Sequence, residues 1–141
     1  MVFYNSKLAK LLLWSGYDTI TLGFIILTTR KTWEMNQEVL NHEKIHVAQW
    51  MEVTKFFMLI WVVVSLMLGS VKMLWWLPVN MFAYYLIYMV EYAIRRLYGG
   101  ETGKQDYRNI EFEKEAYKHQ RDFGYLEERK PFAWLFDKWI V

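Results

Sequence analysis

Asn41-His42-Glu43-Lys44-Ile45-His46-Val47 is the stretch whose reading decides the fold. It carries the pattern His-Glu-x-x-His in a segment with helical character. A helix turns once in about 3.6 residues, so His42 and His46 stand one above the other on one face. Two imidazoles so placed can hold one side of a zinc ion. Glu43 is carried on the adjoining face, where its carboxylate can reach a water at the metal. Zinc acidifies such a water, and the carboxylate takes its proton as it attacks a carbonyl. A catalytic zinc has three protein ligands and an open fourth position. The third ligand must therefore come from elsewhere in the chain. The alternative is a helix with two incidental histidines. The chain has only 3 histidines in 141 residues, and two of them lie in the motif.

The helix is expected to start near Gln37, with Asn36 as its N-cap and Gln37 and Glu38 in its first turn. No breaker follows before Gly69. Gln49 returns to the histidine side and is a candidate supporting residue. Lys55 is the last charge before a long apolar run.

Phe56 to Val71 carries no charge, Lys72 interrupts, and Met73 to Val90 is again uncharged. A spanning helix needs about 20 apolar residues for a hydrocarbon core of about 30 Å. Each run is slightly shorter, and each has helical flanks. Trp75 and Trp76 near the Gly69-Ser70 turn, and Tyr92 and Tyr98 at the other end, suit the aromatic belts of a bilayer. The expectation is a transmembrane hairpin of two helices, 54–70 and 73–94. A very apolar soluble hairpin is the alternative. Lys55, Arg95, Arg96, Lys104 and Arg108 cluster at the open end, against Lys72 alone at the tight end. The positive-inside rule then puts both termini and the motif in the cytoplasm, at a bacterial inner membrane crossed more than once. His46 would stand roughly 14 Å along the helix from the membrane edge, so a substrate would be juxtamembrane or peripheral.

Composition agrees with a single membrane-associated domain, 1–141, with the hairpin inserted between two site-bearing helices. The chain is 55% hydrophobic and 19% aromatic, more than a soluble domain of this size requires. A net charge of +2 gives no field for nucleic acid. With no cysteine, disulfides and thiolate metal sites are excluded, so a zinc must use His, Asp or Glu. No secretory signal is evident: the apolar run Leu11–Trp14 is ended early by Gly16, Asp18 and Thr19.

Residues 6–14 suit a short helix with Leu8, Leu11 and Leu12 on one side, either for packing or for a membrane surface. Thr19 to Thr29 is rich in β-branched residues and reads as one strand, bent at Gly23. Gly99 to Gly103 reads as a flexible return loop. Asn109 then caps a helix running to about Asp122, with Gly124 as its stop. Glu111, Glu113 and Glu115 are candidate ligands on it. Glu113 shares a face with Ala116, Tyr117 and Gln120, and the small Ala116 lets a second helix come close, which a shared metal requires. Glu113 is therefore the expected third ligand, with Glu111 and Glu115 turned to solvent or cations. His119 reads as solvated, with a fourth ligand as its alternative. Tyr117 is either core or a hydroxyl donor to an oxyanion. From Pro131, the residues Phe132, Leu135, Phe136, Trp139 and Ile140 form a stripe with helical period.

The pairing of His42-Glu43-x-x-His46 with Glu113-x-x-Ala116 on a later helix resembles the gluzincin zinc metallopeptidases. Membrane members such as the CaaX-processing endopeptidases carry Glu-x-x-Ala-Asp, where Tyr117 stands here in place of Asp. The run Asn41–Gln49, an apolar hairpin and then Tyr107–Tyr117 also resembles small integral-membrane proteins of Bacteroidetes-type bacteria, over most of the chain. That resemblance names no substrate. The gluzincin resemblance implies His42, His46 and Glu113 as ligands, Glu43 as base, and a strand beside the motif helix that pairs with extended substrate. The missing Asp removes the expected acceptor for a ligating histidine. The sequence thus points to a mainly α, zincin-like helical core with one short strand region. Its expected function is that of a membrane-embedded zinc hydrolase, most simply a peptidase acting on a protein or peptide. Non-catalytic zinc binding and a metal-free membrane interaction protein are the other readings.

Overall fold

A computed structural model describes residues 1–13, 16–99 and 102–136, with Met73 described by its backbone alone. The expectations placed on Trp14, Gly100, Glu101, Asp137, Lys138, Trp139 and Ile140 lie outside these residues. The fold is mainly helical, with one small three-stranded sheet.

The motif helix is the axis of the molecule. It runs unbroken as Gln37–Met67, which makes it about 46 Å long. Asn36 caps it as expected, its side chain accepting from the Glu38 amide at 2.9 Å. It stops where Gly69 takes φ +59°, a left-handed conformation that glycine adopts without a Cβ clash. We call it α2; the short helix Lys7–Leu12 before it is α1, capped by Ser6. The face of α1 that packs is the one holding Ala9, while Leu8, Leu11 and Leu12 are exposed.

The expected bent strand is instead a hairpin. β2 (Thr19–Leu22) and β3 (Ile25–Thr28) are antiparallel across Gly23-Phe24, and β1 (Val2–Phe3) adds in parallel to the other side of β3. Gly23 has φ +64°. Glycine at the first position of a two-residue connection reverses the chain, where a milder bend would have continued it. Trp50 of α2 seals this turn: a Cβ on Gly23 would meet its ring at 3.2 Å. The sheet order is β1-β3-β2, so β2 is an edge strand, and it packs beside α2.

The expected pair of spanning helices is corrected to one candidate. Only Gln37–Met67, among the described residues, is long and apolar enough to cross a membrane. The second run is wound as a 3-10 segment, Val71–Phe82, followed by α3, Ala83–Tyr98. The sequence signal is Pro78, inside that segment, which has no amide hydrogen to donate and clashes with the preceding turn of an α-helix. The segment nevertheless folds back along α2, where the Trp50 indole donates to the Met81 carbonyl at 2.9 Å.

The last third also differs in its boundaries. A helix not expected from the sequence, α4 (Gly103–Arg108), begins at the end of the expected loop, with Thr102 and Gln105 forming a capping box. Asn109 ends α4 and caps no later helix; α5 is Glu111–His119 with Ile110 at its N-cap. After α5 come two single turns, α6 (Tyr125–Glu128) and α7 (Ala133–Phe136). Phe132, at φ +58°, breaks the helix expected from Pro131. Trp50, Val53, Tyr84, Ile110 and Phe112 form the core where α2, α3 and α5 meet.

Candidate metal centre

His42 and His46 project from α2 toward Glu113 on α5, and all three are buried. One ligand atom from each lies within 4.8 Å of the others. Ala116, fully buried one turn after Glu113, has the small side chain that close approach of α2 and α5 requires. The Nε2 atoms of His42 and His46 are 3.1 Å apart. Glu113 Oε1 stands 3.2 Å from His46 Nε2, and Oε2 stands 3.4 Å from His42 Nε2. Donors about 2.0–2.1 Å from a tetrahedral centre are about 3.3 Å from one another. The three separations, which run to both oxygens of Glu113, are of that order.

The surrounding hydrogen bonds also fit a cation. Gln49 turns its amide nitrogen to the Phe112 carbonyl at 2.9 Å and to Glu115 at 3.1 Å. Its oxygen is left for His46 Nδ1 at 2.8 Å, which places a proton there and leaves the Nε2 lone pair facing the cluster. Glu113 Oε2 is buried and takes no hydrogen bond. A lone pair and a carboxylate oxygen converging without a donor are what a bound cation would satisfy. Without one, protons take that place. Burial opposes ionisation of Glu113, but the charge of His46 and the neighbouring His42 outweigh it and hold the carboxyl well below the usual carboxylate range. Burial likewise lowers the His46 pKa, and the Glu113 charge more than reverses this, pushing it up to about 9.

Glu43 faces a cavity of about 260 Å³ that it shares with His46 and Glu113. The Thr21 hydroxyl of β2 donates to its Oε2 at 2.6 Å, so the carboxylate is held at the cavity wall. The other walls are β2 and the rings of Tyr84, Tyr85, Tyr88 and Tyr107. The cluster can hold a metal ion, and a carboxylate outside the ligand set stands beside it.

The site includes residues that sequence reasoning missed. Tyr88, inside the second apolar run, donates its hydroxyl to Glu113 Oε1 at 2.7 Å. Thr21 was read only as part of a strand. Glu115, expected to face solvent or cations, does pair with a cation, Arg129, but the pair is buried. A signal was present: Glu115 follows Phe112 by three residues, and Phe112 belongs to the core. Glu111 does pair with cations, Arg95 and Lys114. Tyr117 packs edge-on against His42, with ring centres 4.6 Å apart, and it does not line the cavity. His42 Nδ1 is buried without a hydrogen-bond partner. His119 stacks on Tyr125 and is not among the clustered ligands.

A scan against protein-family models finds no match, and searches of curated proteins and of solved structures find none either.

Proposed function

We propose that this chain is a membrane-embedded zinc-dependent hydrolase of gluzincin type, most simply a peptidase, akin to small integral-membrane proteins of Bacteroidetes-type bacteria. The observation that carries the reading is the convergence of His42, His46 and Glu113, with ligand atoms within 4.8 Å of one another, beside a cavity walled by Glu43. Two imidazoles and a carboxylate suit zinc, and three protein ligands leave a position for substrate. A similar donor set also serves non-haem iron. The separate carboxylate of Glu43 favours hydrolysis, because a general base is what that chemistry needs.

Zinc, when bound, supplies a Lewis acid that acidifies water and polarises a carbonyl. Glu43 takes the proton of the attacking water and returns it to the leaving amine. Thr21 holds the Glu43 carboxylate toward the cavity while it does so. Tyr88 holds Glu113 by donating to its Oε1.

The edge of β2 supports an extended substrate. The Thr29 amide donates to the Asp18 carbonyl, so in this antiparallel register Asp18, Ile20 and Leu22 face β3. The backbone groups of Thr19 and Thr21 then point to the open edge, beside the cavity. A peptide pairing there would gain main-chain hydrogen bonds and lay its carbonyls over the site.

The bilayer is the proposed surrounding of the C-terminal half of α2 and the segment folded back along it. Leu59, Leu66, Met67, Val71, Trp75 and Trp76 are all more than half exposed there. So large an apolar belt is a membrane or partner surface. By the positive-inside rule, the cationic residues at the other end support a site and both termini on the cytoplasmic side of an inner membrane. Elemental analysis of detergent-purified protein tests the metal. About one zinc per chain is expected, and none in His42→Ala or Glu113→Ala. Metal-replete wild type holding no zinc, or holding iron in its place, would overturn the proposal.

A further inference from the structure

Arg129 lies far from the metal cluster in sequence, yet its side chain is only 5% exposed. It is clamped between two carboxylates. Its Nε and Nη2 donate to Glu115, the latter at 3.1 Å, and its Nη1 and Nη2 donate to Glu52. Glu115 also accepts from the Tyr125 hydroxyl at 2.9 Å. The first turn after α5 is thereby bound to the middle of α2. A buried ion pair is seldom a net source of stability, since removing two charges from water costs about what their attraction returns. Its connections offer another role. Glu115 Oε2 accepts from Gln49, and Gln49 accepts from His46 Nδ1.

We propose that Glu115 and Arg129 are positioning residues for the metal centre, acting through Gln49 to fix which nitrogen of His46 is free to ligate. The inference rests on the zinc reading above and extends it to residues outside the cavity. An amide can present either end to an imidazole. Gln49 is denied that choice because two acceptors, the Phe112 carbonyl and the Glu115 carboxylate, both require its NH2 group. Its oxygen then faces His46 Nδ1 at 2.8 Å, the shorter of that nitrogen's two contacts, and favours a proton there; the Tyr84 hydroxyl stands 3.2 Å from the same nitrogen and donates to the Gln49 oxygen at 3.3 Å. Arg129 keeps Glu115 facing Gln49 as an acceptor: both carboxylate oxygens are engaged by guanidinium donors. His42 has no comparable support, since its Nδ1 is without a partner. The orientation of the centre therefore depends on His46 and on the chain of groups behind it. Partners behind a ligating histidine are typically worth 10–100-fold in metal affinity.

Glu115→Gln tests this, because the new amide can offer a donor to Gln49 and let it turn over. Zinc affinity is measured by chelator competition in detergent, with the ¹⁵N shifts of His46 recorded in the zinc-loaded protein. Glu115→Gln is expected to weaken zinc by about tenfold or more and to disturb the Nδ1-protonated, Nε2-bound pattern of the wild type. Arg129→Lys, which keeps the charge but not the fork, should fall between the two and guards against a variant that fails to fold. Glu52→Gln is the control: it removes the other half of the clamp without touching Gln49. It is expected to lower the melting temperature while zinc affinity stays within about twofold, well short of the effect on a partner of the ligand. Wild-type zinc affinity and spectrum in Glu115→Gln would overturn the proposal. So would equal weakening by Glu52→Gln, which would make the clamp mere packing. A wild type that takes up no zinc would overturn the metal reading and this one with it, an outcome distinct from the first two.

Discussion

Replacing Glu43 by glutamine separates chemistry from structure at this site. The Glu43→Gln side chain would keep its size and one oxygen able to accept from the Thr21 hydroxyl, which now bonds Glu43 Oε2 at 2.6 Å. A hydrogen bond to a charged acceptor is worth about 1.5–3 kcal/mol and a neutral one about 1. The expected loss of stability is thus at most about 2 kcal/mol. Zinc content should not change, because the clustered ligand atoms belong to His42, His46 and Glu113. The amide cannot take a proton from water. General-base catalysis is typically worth 10²–10⁴-fold, about 2.7–5.4 kcal/mol of barrier. The assay is turnover of an unstructured or membrane-proximal peptide by detergent-solubilised protein, with zinc content and melting temperature measured on the same preparation. Activity should fall by at least about a hundredfold while the metal stays. A Glu43→Gln variant that cleaves as fast as wild type would refute the mechanism even with the zinc site intact. A variant that loses zinc would place Glu43 among the ligands.

Three further outcomes are expected. Tyr88→Phe removes the donor to Glu113 Oε1 and should weaken zinc by about tenfold, read by chelator competition; unchanged affinity would make that hydroxyl incidental. In metal-free protein His46 titrates near 9, above its unfolded value of about 6.5. Its contribution to stability is therefore complete below about pH 6.5 and lost as pH rises through about 9. Protons and zinc compete for the same lone pair, so zinc affinity and the rise in melting temperature on adding zinc should both grow from about pH 6.5 to about 9; a shift flat across that range would contradict the arrangement. The protein should resist extraction by carbonate at high pH, and reporters fused to either terminus should read cytoplasm; release without detergent, or a periplasmic terminus, would refute the membrane reading.

The sequence by itself determined the motif helix and what it carries. Asn36, the unbroken run to Gly69, and the four-residue spacing of His42 and His46 act through local backbone geometry, and that information lies within one segment. The choice of Glu113 also followed from local spacing, because Ala116 marks the close-packed side of α5. Elsewhere local signals competed, and only tertiary contacts decided. Gly23 allows either a bend or a reversal, and the reversal is the one that Trp50 caps. Pro78, passed over in reading 73–94 as one helix, carries a helix-breaking signal, but no local signal says that its segment would still lie along α2 and bring Tyr84 and Tyr88 to the centre. Glu115 stands a turn from Phe112, but that spacing alone does not bury it, since a carboxylate enters a core only when a partner arrives to meet it. Arg129, on a turn beyond α5, is that partner. Hydrogen bonds such as Thr21 to Glu43 and Gln49 to Glu115 join residues far apart in the chain. Periodicity reports which face a residue occupies; which group stands opposite is fixed only when the helices and the sheet have packed.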